Sequence, residues 1–152
     1  MNSVRILVAL AMTAASAFAQ DSDVAQIKAL TREFSERIVA SDLSVIDRVF
    51  DADPRNVYYD INEQMIGLPR MKQVWQAAIS NYTLSSFTFD ESAMNVTVTG
   101  DHAALTTTWR QTQTPRGSSA RNISGRVTIL WKKIGSSWKA YHYHASVTPS
   151  RS

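Results

Sequence analysis

The spacing of apolar residues changes once along this chain, and that change does most to limit its fold. From Leu84 onward apolar side chains fall on alternate positions. In "AMNVTVTG", Met94, Val96 and Val98 alternate with Asn95, Thr97 and Thr99. Before Leu84 they recur at steps of three and four, the period of a helix with one buried stripe. Helices gathered ahead of strands argue for an α+β architecture in place of alternating βαβ units.

The helical part divides into three segments. Ile27, Leu30, Phe34 and Ile38 mark the first, and Asp23 with Gln26 is spaced as a capping box that would start it. In "ASDLSVIDRVF" Asp42 is the expected cap of a short second helix, with Leu43, Ile46, Val49 and Phe50 turned inward. Asp53-Pro54 ends helical geometry, and "NVYYDI" has the composition of a strand. Gly67 and Pro69 introduce a third helix striped by Met71, Val74, Trp75, Ala78 and Tyr82. About four antiparallel strands follow, turned at Gly100-Asp101, at the loop "PRGSSARN" and at "IGSS". Helices laid across one face of a long, curved sheet leave a concavity, and concavities are the usual ligand sites.

A chain of 152 residues, 44% apolar and without cysteine, suits one compact domain with neither disulfide nor thiolate chemistry. Arg5, the run "ILVALAM" and Ala17-Phe18-Ala19 have the form of a secretory signal cut after Ala19. Residues 20–152 are then a single domain, secreted or periplasmic, with no membrane attachment after cleavage. Sixteen basic residues against thirteen acidic give a surplus of three, which falls to two if Arg5 leaves with the leader. The charge is scattered, so no nucleic-acid partner is expected. Asn81, Asn95 and Asn122 each begin a glycosylation sequon that counts only in a eukaryotic host.

The chemistry-bearing residues are few. Side chains two apart on a strand share a face, so His142 and His144 in "WKAYHYHASV" are expected beside Ala140 and Ser146. Two imidazoles could form one edge of a zinc site, but His102 lies in a turn and no cysteine exists to complete it. No metal and no other cofactor is therefore expected, and hydrogen bonding in the sheet or at an interface is the simpler use of the pair. Asp60 closes "VYYD". Inside an apolar cone it is a candidate proton acceptor, and on the plainer reading it caps the loop to Gly67 or pairs with an arginine. Arg110 offers a guanidinium fork for a carboxylate, or a structural ion pair with Asp60 or Glu63. Trp75, Trp109, Trp131 and Trp138 read mainly as core, with rings that could also line a pocket.

The order helix, helix, strand, helix, sheet resembles the cone-shaped nuclear transport factor 2-like superfamily. That group includes SnoaL-like cyclases, ketosteroid isomerases and scytalone dehydratases. Over residues 23–147, and most in "GDHAALTTTWRQTQT" and "VTILWKKIGSSWKAYHYHAS", the chain is similar to the association domain of calcium/calmodulin-dependent kinase II and its bacterial relatives. The shared features are a glycine-acid turn, Arg110 with Thr112 and Gln113, and Trp131 ahead of basic residues. Trp138-Lys139 and the ending His142, Tyr143, His144, Ser146 complete them. This resemblance implies the cone fold, self-association, and Arg110 facing the cavity toward carboxylates. That domain's further arginine falls on Ile129 here, with Arg126 the nearest substitute. The isomerase resemblance implies Asp60 as proton shuttle, but the oxyanion-hole tyrosine falls on Phe34 and the second acid near Thr128. An oxyanion hole without donors forfeits several kcal/mol, roughly 3 or more.

The sequence thus predicts an exported α+β protein, three N-terminal helices on a curved antiparallel sheet. It would bind a small carboxylate or aromatic ligand and pair as a homodimer through its sheet, without catalysis. Its expected ligand-binding residues are Tyr59 and Asp60, Trp75, Arg110 and Arg126, Trp131, and His142 with His144. Were it a cyclase, dehydratase or isomerase, Asp60, His142 and His144 would be its catalytic groups. A protein-interaction or immunity-type module is the third reading, with an exposed groove and no enclosed cavity.

Overall fold

A computed structural model describes the backbone of residues 3–148 and the side chains from Ala19 to Thr148. The side chains of the expected leader up to Phe18, and the tail from Pro149 to Ser152, lie outside the described residues.

The first helix, α1 (Ser3–Val39), buries Ile27, Leu30, Phe34 and Ile38, the expected stripe. It runs unbroken through Asp23, so the capping box does not start it. The Asp23 carboxylate is used elsewhere: Lys133 Nζ donates to it at 2.7 Å and Trp138 Nε1 at 2.9 Å. These two donors, Lys133 foremost, hold the Asp23 carboxyl below its usual range and fasten the helix to the last hairpin. Asp42 accepts from the Ser44 amide at 3.1 Å just ahead of α2 (Ser44–Val49), although the cap position itself falls on Leu43, which has no side-chain capping bond. Inward from α2 point Val45, Ile46, Val49 and Phe50, while Leu43 is half-buried.

Two short strands, β1 (Val57–Tyr59) and β2 (Gln64–Ile66), make a hairpin. The second was not anticipated, because three residues are too few for an alternation to register. Helix α3 (Gly67–Asn81) opens two residues before Pro69, on a glycine at φ 69° that a side chain would resist. Five strands follow: β3 (Tyr82–Phe89), β4 (Asn95–Thr99), β5 (His102–Pro115), β6 (Arg121–Ile134) and β7 (Ser137–Val147). All seven strands join one sheet in the order β2-β1-β7-β6-β5-β3, with β4 paired to β5 beside the path. The expected strand at "NVYYDI" and the four or so after it thus become seven, antiparallel throughout except where β1 runs parallel to β7. Three helices against this curved sheet form the cone anticipated from the sequence.

Burial along the strands tells which face meets the helices. Leu105, Thr107 and Trp109 of β5 and Val127, Ile129 and Trp131 of β6 are buried and face inward. On β7, Trp138 and Ala140 face inward, but the register shifts opposite Leu130 and Trp131. That bulge absorbs Tyr141 and moves Tyr143 and Ala145 to the inner face. Ala140 therefore shares its face with Tyr143 and Ala145, and the expectation that it sits beside His142 and His144 is corrected.

Candidate ligand cavity

Each inner row changes character along its strand. On β5 the inward positions run Leu105, Thr107, Trp109, then Gln111 and Gln113; on β6, Ile129 and Val127 give way to Gly125, Ile123 and Arg121. Apolar side chains fill one end of the cone, and where the rows turn polar a cavity of about 280 Å³ opens. Trp75, Val74 and Ala78 of α3 form one wall, and Phe87, Trp109, Ile123 and Tyr143 of the sheet the other. Trp75 stands edge-on to Phe34 at 5.8 Å and tilted against Phe87 at 5.9 Å, which fixes its plane. The Trp109 indole crosses the face of Gly125, and its Nε1 donates to the Arg126 carbonyl at 3.2 Å.

Polar groups enter at three places. Asp60 and Asn62 come from the β1–β2 turn, where Asp60 Oδ1 accepts the backbone N–H of Asn62 at 2.5 Å and of Glu63 at 3.3 Å. The loop-capping reading of Asp60 and a place in the cavity wall therefore hold together. Gln111 Nε2 donates to Gln113 Oε1 at 2.8 Å, and Arg121 is the direct cross-strand neighbour of Gln113. Tyr143 is 5% exposed, and its hydroxyl opens onto the cavity with no hydrogen bond to the protein among the described residues. Burial pushes that hydroxyl far above the ordinary phenol range, and the negative charge of Asp60 pushes it further. Tyr143 is thus a neutral donor at any physiological pH.

Of the eight residues expected to bind a ligand, the structure brings only Asp60 and Trp75 to this cavity. Arg110, Arg126, His142 and His144 alternate with inward residues and stand on the outer face of the sheet. Tyr59, 37% exposed, joins them there, its ring centroid 6.0 Å from that of His142 and 5.5 Å from that of His144. The Val57 carbonyl can only accept, so His142 donates Nδ1–H to it at 2.8 Å. Neither Asp60 nor Glu63 pairs with Arg110: Glu63 pairs with Arg70, and the charge of Arg110 is felt at Asp90. Trp131 faces inward but is 0% exposed inside the packed core, where its Nε1 lacks a partner among the described residues. Among the described residues no three His, Asp or Glu side chains converge as a metal site would require.

Tyr143, Arg121, Gln111 and Gln113 escaped the sequence reading as site residues. The signal for three of them was present, since Gln111, Gln113 and Arg121 continue inner rows defined by Trp109 and Val127. Tyr143 carried no such signal, because the bulge resets the row just before it.

Comparison with known proteins agrees with this geometry. A family model described as "SnoaL-like domain" matches residues 27–150. A nuclear transport factor 2-like superfamily protein from Salmonella enterica superposes with a TM-score of 0.71 at 18% identity, covering 85% of this chain and 96% of its own. A candidate dehydratase of that family from Streptomyces avermitilis gives 0.72 at 18% identity, over 86% of this chain and 99% of its own. A protein of unknown function from Mycobacterium tuberculosis gives 0.75 at 14% identity, over 88% and 76%. No curated protein matches the chain.

Proposed function

Because the chain belongs to the SnoaL-like domain family of the nuclear transport factor 2-like superfamily, we propose that it binds a small aromatic molecule in the mouth of its cone. The observation that carries this is the cavity itself, walled by Trp75, Phe87, Trp109 and Tyr143. Its volume of about 280 Å³ limits the guest. An apolar cavity of about 150 Å³ takes benzene, so one or two rings fit and four fused rings do not. Binding without catalysis is the reading favoured, since an acid–base team of Asp60 with His142 or His144 would have to act through the sheet. An interaction module without a cavity is disfavoured on the same geometry.

The experiment is a calorimetric titration with indole. Wild type is expected to show one saturable site with Kd near a millimolar, from about 4 kcal/mol over a ligand of about nine heavy atoms. Ala78→Phe, which puts a ring into the wall, should abolish binding while its circular dichroism stays that of wild type. Absence of a saturable site in wild type, or unchanged binding in the variant, overturns the reading.

Two further features belong to this proposal. The chain is exported through its N-terminal leader, and the protein pairs through the outer face of its sheet. Thr108, Arg126, Thr128 and Ser146 lie on that face in cross-strand register, with His144 opposite Thr128. A two-fold interface of this kind would cover the Tyr59–His142–His144 cluster. The mature chain from Gln20 is expected to sediment as a dimer at micromolar concentration, and Thr128→Arg, which sets like charges beside Arg126, as a monomer. A wild-type monomer at that concentration refutes the pairing. On its β5–β7 motifs we read the chain as similar to the association domain of calcium/calmodulin-dependent kinase II and its bacterial relatives.

A further inference from the structure

Tyr143 is a buried side chain on the cavity wall whose hydroxyl opens onto the cavity, and no hydrogen bond within the protein among the described residues uses it. A hydroxyl that faces a cavity with no protein acceptor is free to donate its hydrogen to an acceptor on a guest. What that acceptor can be follows from its neighbour. Tyr58 and Tyr59 of β1 pair in parallel with Tyr143 and His144, so the chain brings Asp60 alongside Ala145, the next inward residue after Tyr143. Asp60 spends Oδ1 on the two turn amides, and its charge stays in the cavity wall. A carboxylate accepting from Tyr143 would lie against that charge in a partly dry pocket, where like charges repel strongly. A carbonyl oxygen would not. The cavity's cation, Arg121, stands six residues along β6 from Val127, the strand partner of Ala145, and so at the open end.

We propose that the cavity selects uncharged aromatic ligands bearing a carbonyl oxygen, and that the Tyr143 hydroxyl is the donor that reads it. This rests on the binding function proposed above and narrows its ligand class, since it sets aside the carboxylates suggested by Arg110. Trp75 and Trp109 hold the ring, Tyr143 holds the oxygen, and Asp60 turns anions away from that end. The role assigned to Tyr143 is recognition.

Three probes on one ring test it: indole, indole-3-carboxaldehyde and indole-3-carboxylate, each titrated into wild type and Tyr143→Phe. The variant loses only a hydroxyl without protein partners, so its fold should survive, and its Tm gives the check. In wild type the aldehyde should bind about three- to tenfold more tightly than indole, the worth of one net hydrogen bond. The carboxylate should bind at least about tenfold more weakly than the aldehyde, an effect of like charge that falls as salt is raised. In Tyr143→Phe the aldehyde should drop to the affinity of indole, with indole itself unchanged. The inference is overturned if the aldehyde has no advantage in wild type, if the advantage survives in Tyr143→Phe, or if the carboxylate binds best. Indole binding with any of those results leaves the cavity function standing and removes only the ligand class. Failure of all three probes removes both.

Discussion

Gly125→Ala is expected to destabilise the fold severely, although it adds one methyl group to an ordinary strand position. A Cβ built at Gly125 would lie 1.7 Å from the carbonyl oxygen of Ser146 and 2.9 Å from Cε2 of Trp109. The first of these is backbone on the neighbouring strand, so no side-chain rotation relieves it, and β6 and β7 would have to part. The second is a cavity wall. Forced overpacking of this kind costs about 3 kcal/mol or more, and a fall in Tm of roughly 10 °C or more should accompany it. The control is Gly135→Ala in the β6–β7 turn, where φ is 61° and nothing lies within 4 Å of the added atom. There only the left-handed backbone resists, at about 1–2 kcal/mol. Thermal unfolding of both variants decides the point. If Gly125→Ala melts within about 3 °C of wild type, the close approach of β6 to β7, and the seat it gives Trp109, is wrong.

Gly125 also shows what a sequence alone could not tell. In "SGRVTILWKK" it reads as an ordinary strand residue, and nothing in those letters shows that it lies opposite both Trp109 and Val147. Long-range features of the sequence were legible. The change from a helical to a strand period placed the helices ahead of the sheet, and the stripe of Ile27, Leu30, Phe34 and Ile38 was buried as read. Local features that depend on pairing were not. β2 is three residues long, and β1 joins β7 in parallel, a contact that nothing in "NVYYDI" announces.

The site was less legible than the fold, for a physical reason that particular residues display. Which face of a strand a side chain takes is set by parity, and one bulge reverses parity beyond it. Counted from Trp138 and Ala140, His142 and His144 belong inside; the shift at Tyr141 sends them out and brings Tyr143 in. Arg110 was assigned to the cavity through resemblance, although Trp109 beside it is the better inner anchor and parity then turns Arg110 outward. The same count, carried on from Trp109 and Val127, reaches Gln111, Gln113 and Arg121. Polar residues that continue an apolar row mark where a sheet leaves its core and begins to line a cavity, and that rule needs no structure to apply.

The second large effect is expected at Phe34, the residue on which the isomerase resemblance sets the oxyanion-hole tyrosine. Its ring is 1% exposed and lies 5.2 Å from Phe50, 5.8 Å from Trp75, 6.1 Å from Phe87 and 6.2 Å from Tyr143, centroid to centroid. Three of these four neighbours are also cavity walls. Phe34→Ala removes the ring that they share, with a loss of about 3–5 kcal/mol and a Tm lowered by roughly 10–20 °C. Phe34→Leu keeps most of the volume and should lose less than about 2 kcal/mol. Phe34→Tyr separates two accounts of the position. In a closed aromatic nest the added hydroxyl has no acceptor, so the variant loses about 1–3 kcal/mol and gains no affinity for indole-3-carboxaldehyde. Were the position a vacant place for an oxyanion donor, Phe34→Tyr would keep the wild-type Tm and bind the aldehyde more tightly. Denaturant midpoints for the three variants, read beside the aldehyde titration, choose between a structural hub and a donor site, and a fully stable Phe34→Ala would dissolve the hub altogether.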